Sequence, residues 1–396
     1  MKMSNKFIMA LLLFVTSKLF AQTDTLLGRD AIGDMNSTAV RKGDFPGSIQ
    51  LPDKKTAIGF GGFIKTITYF DSHKEKKSDI ITPGYFNPYE NNGQFGISSS
   101  LSRFLFDARA NLPQGKLRGY LEVDFANGSF NVRHAYATWK QGKNEVLAGR
   151  FWSALMDLPA LSFLEGTGQP SISGVIYNRQ AQVRYTRQLN NIWKFHISLE
   201  DPSSSDALIP SGFRALTSAP DVIMAIGATN PKIGHVQLAA ILRKIDIDSL
   251  SLYRLSNTAT GVSIASYLVV GNKGRLVSSA SYGTGLGKYM LGINGVAGYI
   301  TQPKTLSLAK TYGAVLNYQH KYNVKWRSNV GIGTAGLSDV TNTSVSFRNS
   351  WYGNVNLFYQ VMPMFTIGME YIYAESNYAA GAKAINHRFQ IGIQIF

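Results

Sequence analysis

Charged residues crowd into one stretch of the chain, and their spacing is even. In "SRFLFDARANLPQGKLRGYLEVDFANGSFNVRHAYATW", Arg103, Asp107 and Arg109 are two or four residues apart, as are Arg118, Glu122 and Asp124. On an extended chain, side chains two apart project from the same face. Each run therefore forms a ladder of guanidinium and carboxylate groups. Phe104, Phe106 and Ala108, and then Leu117, Gly119, Leu121, Val123 and Phe125, take the opposite faces. In "RQAQVRYT", Arg184 shares the polar side with Gln180, Gln182 and Thr186, against Ala181, Val183 and Tyr185. Arg133 joins the ladder if Val132, His134 and Tyr136 take the apolar side, and Arg150 and Arg179 lie at the ends of the fifth and sixth expected strands.

Such a ladder makes and breaks no bonds. Arginine stays charged and offers two parallel N–H donors to a carboxylate or phosphate, so its chemistry is the attraction of small anions in water. The plainer role is that each arginine pairs with Asp107, Glu122 or Asp124 across strands and braces a polar wall. The two roles are compatible, because a braced wall can keep a net positive field.

Other chemistries have less to stand on. The six histidines form no H-x₃-H pair and the chain has no cysteine, so no metal or other cofactor is implied. His196 reads as a lumen residue on a polar strand face, and His134, which interrupts an apolar face, as a subunit contact. "GTGLGK" at 283–288 lacks the four-residue spacer and the Ser/Thr of a phosphate loop and reads as a flexible glycine turn.

The elements that position the ladders are extended. From about residue 56 onward, alternating segments such as "NIWKFHISLED" and "FTIGMEYIYAES" are separated by Gly, Asn, Asp and Pro clusters. About sixteen strands are expected, starting near residues 56, 98, 115, 130, 144, 172, 191, 220, 234, 259, 275, 307, 323, 350, 364 and 385. Residues 1–21, with Lys2 and Lys6 before "FIMALLLFV" and Ala21 at the end, read as a signal peptide. Residues 22–55 read as a short periplasmic arm of low order, and residues 56–396 as the barrel.

Alternation alone fits a soluble sandwich as well as a membrane barrel. Charged residues make up only 16% of the chain, yet they line up in ladders, and many of the 20 Tyr and 22 Phe sit near strand ends as an interfacial girdle would require. The expected fold class is therefore all-β: a transmembrane antiparallel β-barrel, porin-like, with its apolar face in outer-membrane lipid and its charged face on a water-filled lumen. The net charge of +16, in an exported chain, points to anionic solutes or lipid and away from nucleic acid.

The stretches "DFPGSIQLPD", "SRFLFDARANLPQGKLRGYLEVDF", "VRHAYATW", "LAGRFWSALMD", "RQAQVRYT", "SLEDP", "GHVQLAAILR", "YGTGLGKYM" and "NVNLFYQVMPMFTIGMEYIY" resemble the DcaP-like porins of Gram-negative outer membranes, in order, from about residue 44 to the end. The resemblance implies a sixteen-stranded homotrimer that takes up organic acids and other small anions. The chain departs from some members in having room only for a short arm in place of a long coiled coil. In the last strand Phe389, Ile391, Ile393 and Ile395 are out of step with Phe396.

The connection at 153–171 is long and mildly apolar. It is expected to fold into the lumen as a constriction loop whose Asp157 and Glu165 face the arginines. Residues 201–220 read as an external loop. The leading function is passive diffusion of small anions. The alternatives are an outer-membrane barrel enzyme (a lipase or protease) and a structural barrel without conductance.

Overall fold

A computed structural model of the chain describes residues 41–74, 80–90, 92–161, 173–203, 213–249, 253–301, 305–338 and 347–395. The expected signal peptide, most of the expected arm, Glu165 and Phe396 lie outside the described residues.

Sixteen antiparallel staves close on themselves. They are β1 (Thr56–Asp71), β2 (Gln94–Ser98 continued by Arg103–Leu112), β3 (Gly115–Asp124), β4 (Asn131–Gln141), β5 (Asn144–Trp152), β6 (Arg179–Gln188), β7 (Trp193–Glu200) and β8 (Asp221–Asn230). The second half comprises β9 (Gly234–Asp248), β10 (Arg254–Val270), β11 (Gly274–Thr284), β12 (Lys310–Lys321), β13 (Trp326–Ser338), β14 (Phe347–Met362), β15 (Phe365–Tyr378) and β16 (Lys383–Ile395). Each stave pairs with the next, and β16 pairs with β1 from Ile395↔Ile64 to Arg388↔Asp71, which closes the barrel.

Alternation decides which way each side chain points. On β9, Val236, Leu238 and Leu242 are exposed and His235, Gln237, Ala239 and Ile241 are buried. On β16, Phe389, Ile391, Ile393 and Ile395 are exposed and Arg388 and Gln390 are buried. The exposed set forms the apolar coat of a transmembrane barrel, and the buried set faces the interior. At one rim the connections are two to four residues long; at the other they reach from four to 26. Short turns mark the periplasmic side and long loops the outside.

The arm is ordered where it meets the barrel. Ser48–Gln50 pairs with Ala57–Gly59 of β1 and Arg41–Lys42 pairs with Ile49–Gln50, so residues 41–50 fold back at the periplasmic rim. The Phe45 ring lies over Gly59, where an added Cβ would sit 2.8 Å from the ring, so a larger residue there would push the ring aside.

Candidate functional site

Registers across β2 to β6 convert the sequence ladders into rows on the inner wall. One row runs Arg109–Arg118–Thr138–Leu147–Arg184 and the next Asp107–Tyr120–Tyr136–Gly149–Gln182. Asp107 binds both neighbouring guanidiniums: Arg118 donates through Nε and Nη2 at 2.9 Å each, and Arg109 Nη2 donates at 2.7 Å. Glu122 accepts from Arg133 Nε at 2.8 Å and from the Tyr120 hydroxyl at 3.0 Å, and lies 3.4 Å from Arg103 Nη1. Asp124 takes Arg133 Nη1 and, at 2.9 Å, Asn131 Nδ2. The wall is thus braced pairwise, as its composition allows.

The bracing does not cancel the charge. Arg103, Arg109, Arg118, Arg133, Arg179 and Arg184 share this side of the barrel with Asp107, Glu122 and Asp124. Lys116, Lys140 and Glu145 add two cations and one carboxylate in the row below. The Arg103, Arg109 and Arg118 side chains remain 28%, 40% and 34% exposed although their carboxylates are buried, so the uncovered charge is positive. Arg184 bonds Gln182 Oε1 at 2.9 Å and the Trp152 carbonyl, and among the described residues no carboxylate pairs with it. Arg179 stacks over the Trp152 ring at 3.4 Å and donates to the Tyr177 hydroxyl at 3.2 Å.

Several expectations need correction. Arg133 does turn inward, but His134 does too. A bulge between Glu122 and Val123 places Glu122 opposite His134 and Val123 opposite Val132, so consecutive residues 133 and 134 both face the interior. His134 then packs among Tyr120, Tyr136, Phe151 and Trp152, at 5.1 to 6.3 Å, rather than at an outer subunit contact. Tyr136 also points inward, opposite Tyr120. Arg150 leaves the ladder: Gly149 takes the inward place opposite Tyr136 and Gln182, so Arg150 falls on the outer face between Ala135 and Ala181 and donates to the Val132 carbonyl at 3.1 Å.

Opposite this wall the interior is filled by three connections that fold in from the long-loop rim. Ile81 and Phe86 come from residues 72–93, Ala154, Leu155, Met156 and Ile176 from 153–178, and Leu286, Tyr289, Met290 and Ile293 from 285–309. They form one buried cluster with inward residues of β8, β9 and β12 to β15, among them Ile223, Ile241, Val315, Tyr352 and Ile372. Apolar side chains in a water-filled barrel fold together for the same reason they do in a soluble core.

Backbone pairing fixes the cluster, with Tyr177 N–H on Tyr289 O at 2.8 Å and Leu291 N–H on Val175 O at 2.9 Å. Polar anchors tie it to the wall. The Tyr289 hydroxyl donates to Asp221 at 2.6 Å and accepts from Gln180 at 2.8 Å, Lys288 reaches Asp221 at 2.8 Å, and Glu200 accepts the Ala154 N–H at 2.7 Å. The "GTGLGK" segment is therefore a buried anchor and not a loose turn. Gly287 is required there, since a Cβ would lie 2.3 Å from the Gly295 carbonyl oxygen.

Residues 153–161 do lie inside the barrel, but Asp157 does not face the arginines. Its Oδ1 is 3.1 Å from His235 Nε2, and His235 Nδ1 is 2.7 Å from the Thr229 hydroxyl. Together with a bond from Arg275 to the Pro159 carbonyl, this holds the loop against β9 to β11, away from the basic wall. Mildly apolar connections were the signal for this filling. A run such as "LGINGVAGYI" cannot stay dry on an exposed loop.

The profile of the DcaP outer membrane protein family matches residues 43–387. None of the curated protein sequences matches the chain. Among solved structures, the outer membrane channel DcaP of Acinetobacter baumannii superposes with a TM-score of 0.75 at 18% identity, covering 86% of this chain and 97% of that one. An anion-selective porin from Comamonas acidovorans gives a TM-score of 0.58 at 10% identity, covering 86% and 99%. OmpF of Salmonella typhi, in complex with daunomycin, gives 0.57 at 12%, covering 87% and 99%. At such identities these likenesses concern the fold.

Proposed function

The chain belongs to the DcaP outer membrane protein family, channel-forming barrels of the Gram-negative outer membrane, and on that premise we propose that it is a passive diffusion channel preferring small organic anions. The observation that carries the preference is the asymmetry of the interior. One wall, from β2 to β6, exposes guanidinium groups whose carboxylate partners are buried. The far side is an apolar cluster whose polar anchors are bound to one another. A solute passing the arginine wall meets a positive surface, and the low-dielectric cluster across from it concentrates that field. No bond needs to be made or broken for this.

The test is the reversal potential of the purified protein in a planar bilayer under a salt gradient. Stepwise conductance with anion preference is expected. Cation preference would remove the arginine wall as the filter, and no conductance from folded, inserted protein would remove the channel. A homotrimer is part of the same proposal, and light scattering of the detergent-solubilised protein should give three times the chain mass. A barrel hydrolase has one observation in its favour, the series Asp157–His235–Thr229. An ester probe left intact by the conducting protein disposes of it.

A further inference from the structure

The periplasmic end of the basic wall holds a cavity of about 480 Å³ beside the short turns that follow β2 and β4. Its lining combines four cations, Arg109, Lys116, Arg118 and Lys140, with two rings, Tyr136 and Phe151. The cations are set directly against one another: Arg109 is the cross-strand partner of Arg118, and Lys116 of Lys140. Like charges placed opposite each other destabilise a sheet unless something negative lies between them. For the arginines that is Asp107. Lys116 and Lys140 make no ion pair among the described residues. Of the two carboxylates in the lining, Asp44 is held by Asn111 Nδ2 at 2.6 Å, and Glu145 stands on the far side of Lys140 in register.

The rings are part of the same surface. Tyr136 and Phe151 meet edge to face at 4.7 Å, and Tyr120 lies 5.4 Å from Tyr136. Arg118 sits 4.7 Å over Tyr120 and 5.9 Å over Tyr136. Both Tyr136 and Phe151 are partly exposed, although polar residues would suit a water-filled mouth better. A cavity of this size is ample for one small ring-bearing solute.

We propose that this cavity is a solute-binding subsite for planar aromatic anions, with the carboxylate held by the Lys116–Lys140 pair and Arg118 and the ring packed against Tyr136 and Phe151. The inference rests on the channel reading for its physiological sense, but binding can be measured without conduction. The probes are benzoate and cyclohexanecarboxylate, which share a charge and nearly a size and differ in the π-face. Calorimetry on the detergent-solubilised protein should show benzoate binding about fivefold tighter, the range expected of one aromatic contact.

The preference should vanish in Tyr136→Leu/Phe151→Leu, which removes both ring faces and keeps every charge of the site. Lys116→Gln/Lys140→Gln, at two exposed positions that leave the fold intact, should weaken both probes together. Equal affinity for the two probes would overturn the ring contact. Undiminished affinity in the lysine variant would overturn the site. A protein that binds benzoate selectively yet fails to conduct would keep the subsite and lose the channel.

Discussion

At the scale of single residues, the charge ladder works because its carboxylates are buried and its guanidiniums are not. Asp107 illustrates the arrangement, since it is nearly covered while the two arginines it binds remain a third or more exposed. Removing both arginines alone would strand a buried carboxylate, so the informative variant is Asp107→Asn with Arg109→Gln and Arg118→Gln. It lowers the wall by one net charge. A unit charge about 10 Å from an ion in water-like surroundings contributes about 0.4 kcal/mol, of opposite sign for anion and cation. The anion-to-cation permeability ratio should therefore fall about fourfold at low salt, and less as screening sets in. The reversal potential reads this directly, and an unchanged value in the folded variant would place the filter elsewhere. Membership of Arg103, Arg109, Arg118 and Arg184 in the inner wall was legible from period-two spacing alone. Arg133 and His134 were not jointly legible, because a bulge abolishes the period just where it occurs.

At the scale of elements, the decisive parts are the three inward connections. Tyr289 is fully buried among them and joins Asp221 to Gln180 through its hydroxyl. Tyr289→Ala removes a ring worth about 3–5 kcal/mol and both hydrogen bonds, so the segment around 285–297 should detach from β6 and β8. Single-channel conductance should rise and grow noisier, while the barrel's own heat resistance, seen as its gel shift, should change little because no stave loses a partner. Unaltered conductance would mean that the cluster lies outside the conducting path. The sequence hinted at one of these connections through its length and apolar content, at 153–171. It was silent on how they associate, since Ile81, Met156 and Ile293 come together only through contacts more than seventy residues apart.

At the scale of the molecule, closure depends on one seam between the first and last staves. Asp71 and Arg388 are both fully buried there and meet through two bonds of 2.6 Å. Asn386 and Gln94 complete the carboxylate's coordination at 3.0 and 2.8 Å. Asp71→Ala leaves a guanidinium buried without its counter-charge, a loss of about 3–5 kcal/mol. The temperature at which the folded band converts to the unfolded one should drop markedly. Asp71→Leu/Arg388→Met should recover most of it, because a well-packed apolar pair carries no desolvation penalty. Failure of the double variant to recover would indicate that the pair holds something beyond the seam.

The sequence by itself determined the number of staves, the rough position of each, which face is apolar and which carries the charged ladders. All of these are local: a two-residue period and a turn signal are written within ten residues of chain. Only the tertiary structure decided that His134 turns in and Arg150 turns out, that Asp157 pairs with His235 and not with an arginine of the ladder, and that an apolar cluster fills part of the interior. Each of those depends on register between staves or on contact between distant loops, and neither quantity is carried by any single segment.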